Sequence, residues 1–297
     1  MRRNPILPVI FISGICLLFV LFLVASGYTW KYFRPQPKHD RLQLFQGITY
    51  EVQVRKSPRP MVIHIVTVDL RKPGISFLVT PGEAGKDLPL KARTTGKFLD
   101  EFNVQLAVNG DGFMPWWSNS ILDYYPHSGD PVDPIGFAAS RGEIYSDWTD
   151  AEPVLYISRT NQARFQTPIG RVYNAISGNL MLVEQGRVVV GAEDTPQPRT
   201  AVALDKAGRR LILVVVDGRQ ARYSRGATLT ELADLILENG GYFGMNLDGG
   251  GSTTLVKVGE NGKSTLLNSP IHHGIPGFQR PVGNHLGIFA DPVAVGE

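Results

Sequence analysis

One stretch of the sequence organises the rest: Met245-Asn246-Leu247-Asp248-Gly249-Gly250-Gly251-Ser252-Thr253-Thr254-Leu255. A short apolar strand leads into Asp248, three glycines and three hydroxyl residues follow, and residues 255–258 have the pattern of a second strand. Consecutive glycines cost backbone entropy and supply no packing. Their simplest explanation is that another group approaches the backbone closely, so we predict a functional loop centred on Asp248.

This loop matches none of the common phosphate, nucleotide or metal motifs. No Gly-Lys-Ser/Thr follows the glycines and the next element is a strand, which excludes a P-loop and a dinucleotide fingerprint. The alternating carboxylates of a calcium loop are missing, and no Gly-x-Ser-x-Gly or His-Glu-x-x-His motif occurs. We therefore expect no metal ligand set and no cofactor. The residues allow either an anion-binding concavity of N–H groups or a tight glycine corner at a sheet edge.

The composition favours a strand-rich domain over a nucleic-acid-binding protein. The 297 residues carry 19% charged residues and a formal net charge of +3, and no basic stripe with interleaved aromatics is present. The 32 glycines and 21 prolines favour many turns and short strands. We predict an α+β fold with a mixed or antiparallel sheet core, few helices and a single domain.

The coarse pattern along the chain supports this fold class. Period-2 or β-branched runs predict strands at residues 48–55, 61–70, 75–80, 104–109, 199–204, 211–216 and 282–290. One helix has clear signals, because Thr228 and Glu231 form a capping-box pattern and Asn239-Gly240-Gly241 ends it. A second helix is expected within residues 90–102. His272-His273 is expected on a loop surface with the two rings pointing apart, and Trp116-Trp117 is either a sugar-stacking platform or a buried pair.

The N-terminus predicts a membrane anchor. An uncharged apolar run from Pro5 to Ala25 is long enough for a bilayer, which requires about 20 apolar residues. We assign residues 1–27 to a signal anchor that contacts the membrane through residues 6–25. Residues 28–44 are assigned to a polar linker and residues 45–292 to a domain on the periplasmic or extracellular side. A cleaved signal peptide ending near Ala25-Ser26-Gly27 is the alternative.

Several segments together resemble the phosphodiester glycosidase family. Residues 246–254 are similar to its signature, and Ala107-Val108-Asn109-Gly110-Asp111-Gly112-Phe113 is similar to its Asn-Gly-Gly-Phe-Phe segment. Further similar segments occur in the family's order, namely Ser177-Gly178, Pro198-Arg199-Thr200-Ala201, Val216-Asp217-Gly218-Arg219 and Arg280-Pro281-Val282-Gly283-Asn284. The likeness spans roughly residues 45–292. It departs at Gly110-Asp111-Gly112, where this chain carries an additional carboxylate.

The resemblance implies hydrolysis of a sugar-1-phosphodiester on the sugar side, in an envelope or secreted glycan context. Phosphate is a good leaving group, so such a site needs a carboxylate near the anomeric carbon and donors around the phosphate more than a strong general acid. We expect Asp248 to act as nucleophile or base, with Asp217 or Asp111 as the second carboxylate. The expected substrate contacts are Arg199, Arg219 and Arg280, the N–H groups of Gly249, Gly250 and Gly251, the hydroxyls of Ser252 and Thr253, and Thr200, Asn109, Asn246 and Asn284.

Two other functions use the same residues. A non-catalytic protein would bind phosphate-containing glycans such as teichoic-type or capsular polymers without turnover. A phosphodiesterase would attack phosphorus instead of the sugar carbon. The sequence does not identify the sugar or its partner group.

Overall fold

The computed structural model describes residues 15–16, 18–19, 21–23, 26–27, 34–148, 152–191 and 195–293. The predicted anchor, residues 1–27, lies largely outside these ranges. Among the helices of the described part, none is long and apolar enough to cross a membrane.

Short strands dominate the described chain. In chain order they are β1 (Asp40–Phe45), β2 (Ile48–Arg55), β3 (Met61–Asp69), β4 (Ser76–Val79), β5 (Leu90–Lys91), β6 (Leu106–Asn109), β7 (Phe113–Met114), β8 (Trp117–Ser118), β9 (Tyr124–Tyr125), β10 (Pro131–Pro134), β11 (Ala138–Ser140), β12 (Glu143–Ser146), β13 (Val154–Ile157), β14 (Ala163–Phe165), β15 (Asn174–Ser177), β16 (Leu180–Glu184), β17 (Arg187–Val188), β18 (Arg199–Leu204), β19 (Arg210–Val216), β20 (Phe243–Asn246), β21 (Leu255–Val258), β22 (Ser264–Leu266) and β23 (His285–Phe289). The α-helices are α1 (Thr95–Phe102) and α2 (Leu229–Glu238), and short 3-10 turns cover Gly250–Ser252 and His272–Gly274.

These strands form one large sheet and two medium sheets around a shared core. The eight-stranded sheet has the order β1-β2-β3-β19-β18-β20-β16-β17, and the two five-stranded sheets have the orders β22-β21-β6-β23-β4 and β12-β11-β15-β13-β14. Two smaller sheets, β5-β10-β7 and β8-β9, complete the set. The strand-rich core with few helices is therefore confirmed, and the strand pairs of the described residues are antiparallel.

Side chains of the large sheet alternate between its two faces, and both faces are buried. Val202 and Leu213 belong to the main core, which they share with Val108 and Ile176 of the medium sheets. On the opposite face, residues such as Val214 pack under α2. Because both faces are covered, β3 and β19 are almost continuously apolar and lack a strict period of two.

Both α-helices begin after a threonine N-cap. At α2 the Glu231 amide donates to Thr228 Oγ1 at 3.2 Å and the Thr228 amide donates to Glu231 Oε2 at 2.9 Å, which confirms the predicted capping box. The other helix begins at Thr95, later than residue 90, because Thr94 provides the N-cap. It packs Phe98 and Leu99 on the outer face of the β6 sheet.

The N-terminal edge differs from the predicted linker. Residues 40–44 lie in the segment assigned to the linker, yet together with Phe45 they form β1 and pair antiparallel with β2. Arg34 also lies over the ring of Tyr223, with 3.4 Å from its guanidinium carbon to the ring centroid. This part of the segment is thus packed on the domain.

Candidate active site

The glycine loop joins the large sheet to a medium sheet. It leaves β20 at Asn246 and enters β21 at Leu255. Asn109, at the end of β6, holds the loop from below: its Nδ2 donates to the carbonyl oxygen of Asp248 at 2.7 Å. Its Oδ1 accepts from the Thr254 amide at 3.1 Å and from Thr200 Oγ1 at 2.9 Å. Asn109 and Thr200, both predicted to contact substrate, therefore form the buried support of the loop.

Each of the three glycines leaves room for a neighbouring group. A Cβ on Gly249 would lie 2.9 Å from the Pro198 carbonyl oxygen. A Cβ on Gly250 would lie 3.0 Å from a terminal nitrogen of Arg219, and one on Gly251 would lie 2.6 Å from a terminal nitrogen of Arg280. The close approach that the sequence predicts is therefore present, and two of the approaching groups are guanidinium ions of the same chain.

Two of the three glycine N–H groups are not available to the predicted anion concavity. The Gly249 amide donates to Asp248 Oδ1 at 2.8 Å, and the Gly250 amide donates to the Pro198 carbonyl oxygen at 2.9 Å. Both donors are used within the protein, and the chain then turns through a 3-10 conformation at Gly250–Ser252. The positive charge near Asp248 comes from side chains instead.

A cavity of about 180 Å³ opens beside the loop. Charged and polar side chains line one part of it, and aromatic and aliphatic side chains line the other. The lining residues are Asp111, Gly112, Phe113, Trp116, Ile135, Glu152, Asn179, Asp248 and Arg280. Three of the predicted residues, Asp248, Asp111 and Arg280, thus meet in one cavity.

Opposing effects act on the Asp248 carboxyl group. Burial raises its pKa, while a hydrogen bond from Ser252, the charge of Arg280, the Gly249 amide and the charge of Arg219 lower it. The pKa of this half-buried carboxyl group is raised overall, and donors and cations lie beside it. This is the setting in which a carboxylate interacts strongly with a developing positive charge.

Asp111 is a second, more deeply buried carboxyl group. Burial, with a smaller contribution from the negative charge of Asp248, raises its pKa to about 6 against three hydrogen bonds that lower it. These bonds come from Ser177 Oγ at 2.6 Å and from the amides of Gly112 and Gly136 at 2.7 Å and 3.1 Å. The carboxylate that departs from the family pattern is thus in the site, and its pKa permits proton exchange near neutral pH.

Arg280 is held from several sides. Its Nη1 donates to Ser252 Oγ at 3.3 Å, its Nε donates to His272 Nδ1 at 3.4 Å, and its guanidinium carbon lies 5.2 Å from the ring centroid of Trp116. Burial lowers the pKa of His272 to about 3, so this imidazole is neutral and accepts the Nε–H. His272 is buried and its ring centroid lies 3.7 Å from that of His273, so the expectation of two exposed, diverging rings is wrong.

The other predicted contacts lie around the cavity, and several support its walls. Arg219 reaches Gly250 and donates from Nε to Gln197 Oε1 at 2.7 Å. Asn246 donates to Asn179 Oδ1 at 2.8 Å, and Asn284 Oδ1 accepts from the Asp111 amide at 2.8 Å. Both asparagines therefore position residues that line the cavity.

Two further predicted groups do not line this cavity. Arg199 donates to the Ala227 and Thr195 carbonyl oxygens, and Thr253 is buried in the loop. A direct contact of either with substrate stays a prediction.

Asp217 belongs to a separate buried network. It accepts from the Ser269 amide at 2.8 Å and from Asn268 Nδ2 at 3.1 Å, and it lies 3.1 Å from His64 Nε2. Tyr50 Oη lies 2.8 Å from the other ring nitrogen of His64. Asp217 is absent from the cavity lining, so its predicted catalytic role has no geometric support from that cavity.

Sequence reasoning missed two polar residues of the cavity, Glu152 and Asn179. Asn179 follows the Ser177-Gly178 segment, and this position is the one signal that could have indicated it. Glu152 precedes β13 and has no motif around it. Within the described residues, no group of three or more His, Cys, Asp or Glu side chains could hold a metal ion.

One known protein family matches most of the described domain. The family described as phosphodiester glycosidase matches residues 102–289. No curated protein matches the chain significantly.

Solved structures share the fold. The catalytic domain of zebrafish N-acetylglucosamine-1-phosphodiester alpha-N-acetylglucosaminidase, auto-inhibited by its pro-peptide, is similar at a TM-score of 0.60 and 22% identity, covering 86% of this chain and 85% of that one. A hypothetical protein from Synechocystis gives 0.55 and 17%, with 86% of this chain and 64% of that chain covered, so this chain spans less than two thirds of that protein. A protein from Burkholderia pseudomallei K96243 gives 0.55 and 15%, covering 81% and 76%.

Proposed function

This chain belongs to the phosphodiester glycosidase family, and we propose that it hydrolyses a sugar-1-phosphodiester at the bond between the anomeric carbon and the phosphate oxygen. Water supplies a hydroxyl group to the sugar carbon and a proton to the departing phosphate. The products are the free sugar and a phosphomonoester. Family membership supports a hydrolase of this general class, and the residues of the cavity support the finer assignment.

One observation carries the proposal. Asp248 lies in a cavity with Arg280, while Arg219 acts on the same carboxylate across Gly250. A carboxylate suits the positive charge that develops at the anomeric carbon, and guanidinium groups suit the oxygens of a phosphate. In a sugar phosphodiester, the anomeric carbon and the phosphate oxygens are adjacent.

The two carboxyl groups take different roles because their surroundings differ. Asp248, with cations and donors around it, acts as nucleophile or as the base that activates water. Asp111, with a pKa raised to about 6, exchanges protons with water or the departing phosphate. Arg280, fixed by Ser252 and His272, binds the phosphate before and during bond breaking.

The cavity dimensions suggest what it encloses. Its volume of about 180 Å³ is smaller than the roughly 300–1,000 Å³ typical of pockets for drug-sized ligands. A single sugar ring therefore suits it, with Phe113 and Trp116 as apolar walls. The group beyond the phosphate would lie outside.

Hydrolysis in oxygen-18 water tests the reaction. A nitrophenyl-type sugar phosphodiester is incubated with the full chain, and the products are analysed by mass spectrometry. Label in the sugar is the expected result. Label in the phosphate would instead identify a phosphodiesterase, and binding without product would identify a glycan-binding protein.

We also propose a location for this activity. The apolar run at residues 6–25 supports a membrane anchor, and an anchored domain outside the cytoplasm would meet envelope or secreted glycans. Fractionation of cells that express the full chain, followed by protease treatment of intact spheroplasts, tests this placement. Recovery in the soluble cytoplasmic fraction would exclude it.

A further inference from the structure

A second concave surface lies away from the candidate active site. Two cavities, of about 580 Å³ and 440 Å³, lie next to each other, because Thr160 and Ile169 belong to the walls of both, and we call the pair the trough. Strand β18 has Arg199 near the glycine loop at its beginning and Leu204 in the trough wall at its end. Strand β15 leads in the same way from Tyr173 in the trough to Ser177, which binds Asp111. The trough and the active site are therefore at opposite ends of the same strands.

Positive charge is concentrated in this trough. Its walls include Arg141, Arg159, Arg164, Arg171 and Lys206, and none of these five makes a salt bridge within the described residues. The whole chain has a formal net charge of only +3. This one face thus has more uncompensated positive charge than the protein has in sum.

The remaining charges of the walls are already paired. Arg71 donates to both carboxylate oxygens of Asp69 at 2.9 Å and 3.0 Å. Asp205, the acidic residue of the walls, accepts from the amides of Arg209 and Arg210 and from Arg210 Nε. Neither pair offsets the charge of the five cations that make no salt bridge.

We propose that this basic trough binds an anionic glycan chain. Several cations along two adjacent cavities bind a polymer with repeated negative charge better than a single small anion, because each contact adds to the same chain. Phe165 and Phe243 in the floor give apolar surface for sugar rings. The choice of a glycan over a nucleic acid rests on the proposed function, since a phosphate-bearing glycan is the polymer whose ends would enter the active site.

The test measures binding separately from turnover. Fluorescein-labelled dextran sulfate is titrated with the full chain in a non-ionic detergent, and anisotropy gives the dissociation constant. The double variant Arg159→Glu/Arg171→Glu should bind at least about tenfold more weakly than wild type. The control Arg187→Glu/Lys263→Glu changes the net charge equally at exposed positions outside the trough, and its affinity should stay within about threefold of wild type.

The outcomes separate the alternatives. Equal losses in both double variants, or no binding by wild type at low salt, would overturn the trough as a site. Tighter binding of an oligothymidylate of matched charge would overturn the glycan assignment. Turnover of a small sugar phosphodiester is measured in the same samples and should be unchanged in both variants. If the trough is not a binding site, turnover of the small substrate is still observed. If the proposed hydrolysis is wrong, binding of the labelled glycan is still observed.

Discussion

Asn109 Nδ2 lies 2.7 Å from the carbonyl oxygen of Asp248 and donates a hydrogen bond to it, so the end of β6 fixes the backbone of the candidate catalytic residue. The two residues are 139 positions apart in the chain. Their bond connects the medium sheet to a loop that starts in the large sheet. The geometry at Asp248 therefore depends on how the two sheets pack.

Removing this support should destabilise the protein. Asn109→Ala deletes the acceptor of the Thr254 amide and Thr200 hydroxyl and the donor to Asp248, and it leaves buried groups without partners. We expect the free energy of unfolding to fall by about 2–4 kcal/mol, measured by urea denaturation. Thr200→Val removes one of these bonds with little change in shape and should cost only about 1 kcal/mol. Equal stability of Asn109→Ala and wild type would contradict the supporting role.

The carboxylate of Asp248 should be required for turnover and not for folding. Asp248→Asn keeps the size of the side chain but removes the charge that Arg280 and Arg219 face. We expect loss of turnover of a nitrophenyl-type sugar phosphodiester by at least about a thousandfold, with a melting temperature near that of wild type. Activity within a few-fold of wild type would refute the assignment.

Substitutions of two glycines should separate stability from activity. In Gly251→Ala the new Cβ meets the end of the Arg280 side chain, which can shift, so the protein should fold and lose kcat/KM. In Gly249→Ala the new Cβ meets the Pro198 carbonyl oxygen, and backbone cannot move aside as easily. We expect Gly249→Ala to lower the melting temperature more than Gly251→Ala. Thermal denaturation and steady-state kinetics of both variants decide, and the reverse order would contradict the observed contacts.

Phosphate binding should depend on the forked guanidinium group of Arg280 more than on that of Arg199. Arg280→Lys keeps the positive charge but loses the contacts of the guanidinium with Ser252 and His272. We expect kcat/KM for the sugar phosphodiester to fall by about 10–100-fold, with a smaller change for a plain aryl glycoside. Arg199→Lys is the comparison, because Arg199 does not line the cavity. An equal loss on both substrates would count against a phosphate contact by Arg280.

The sequence predicted the elements of this fold better than it predicted how they meet. The strands near residues 48–55 and 199–204 and the capped helix at 229–238 have local signals, so periodicity and capping located them. The strand at 40–45 was missed because most of its side chains are exposed, so the segment lacks the apolar pattern of a buried strand.

The site shows the same limit. The glycine loop and Asp111 were predicted from motifs, whereas Glu152 has no motif and enters the cavity only through packing. The partner of Asp217, His64, is 153 positions away and has no sequence signal that links it to that aspartate. Family motifs therefore indicated which segments matter, but not which of their side chains face the cavity.

The raised pKa of Asp111 predicts a distinct pH dependence of stability. Its pKa is about 6 in the folded protein and 3.8 for an unperturbed group, so the folded state holds the proton over the range between these values. The contribution is then fully present below the unfolded pKa and is lost as the pH rises through about 6. For wild type we expect this group alone to lower the free energy of unfolding by about 2–3 kcal/mol between acidic and mildly alkaline pH.

Asp111→Asn should remove that dependence, because an amide does not titrate. Urea denaturation of both proteins across the pH range should show the variant gaining stability relative to wild type as the pH rises. Asp69→Asn is a control of opposite sign, since a side-chain hydrogen bond from Arg71 lowers the pKa of Asp69. The free energy of unfolding of wild type should exceed that of Asp69→Asn at neutral pH, and this difference should shrink as the pH falls. Parallel curves for Asp111→Asn and wild type would mean that Asp111 is not the buried group that takes up a proton near pH 6.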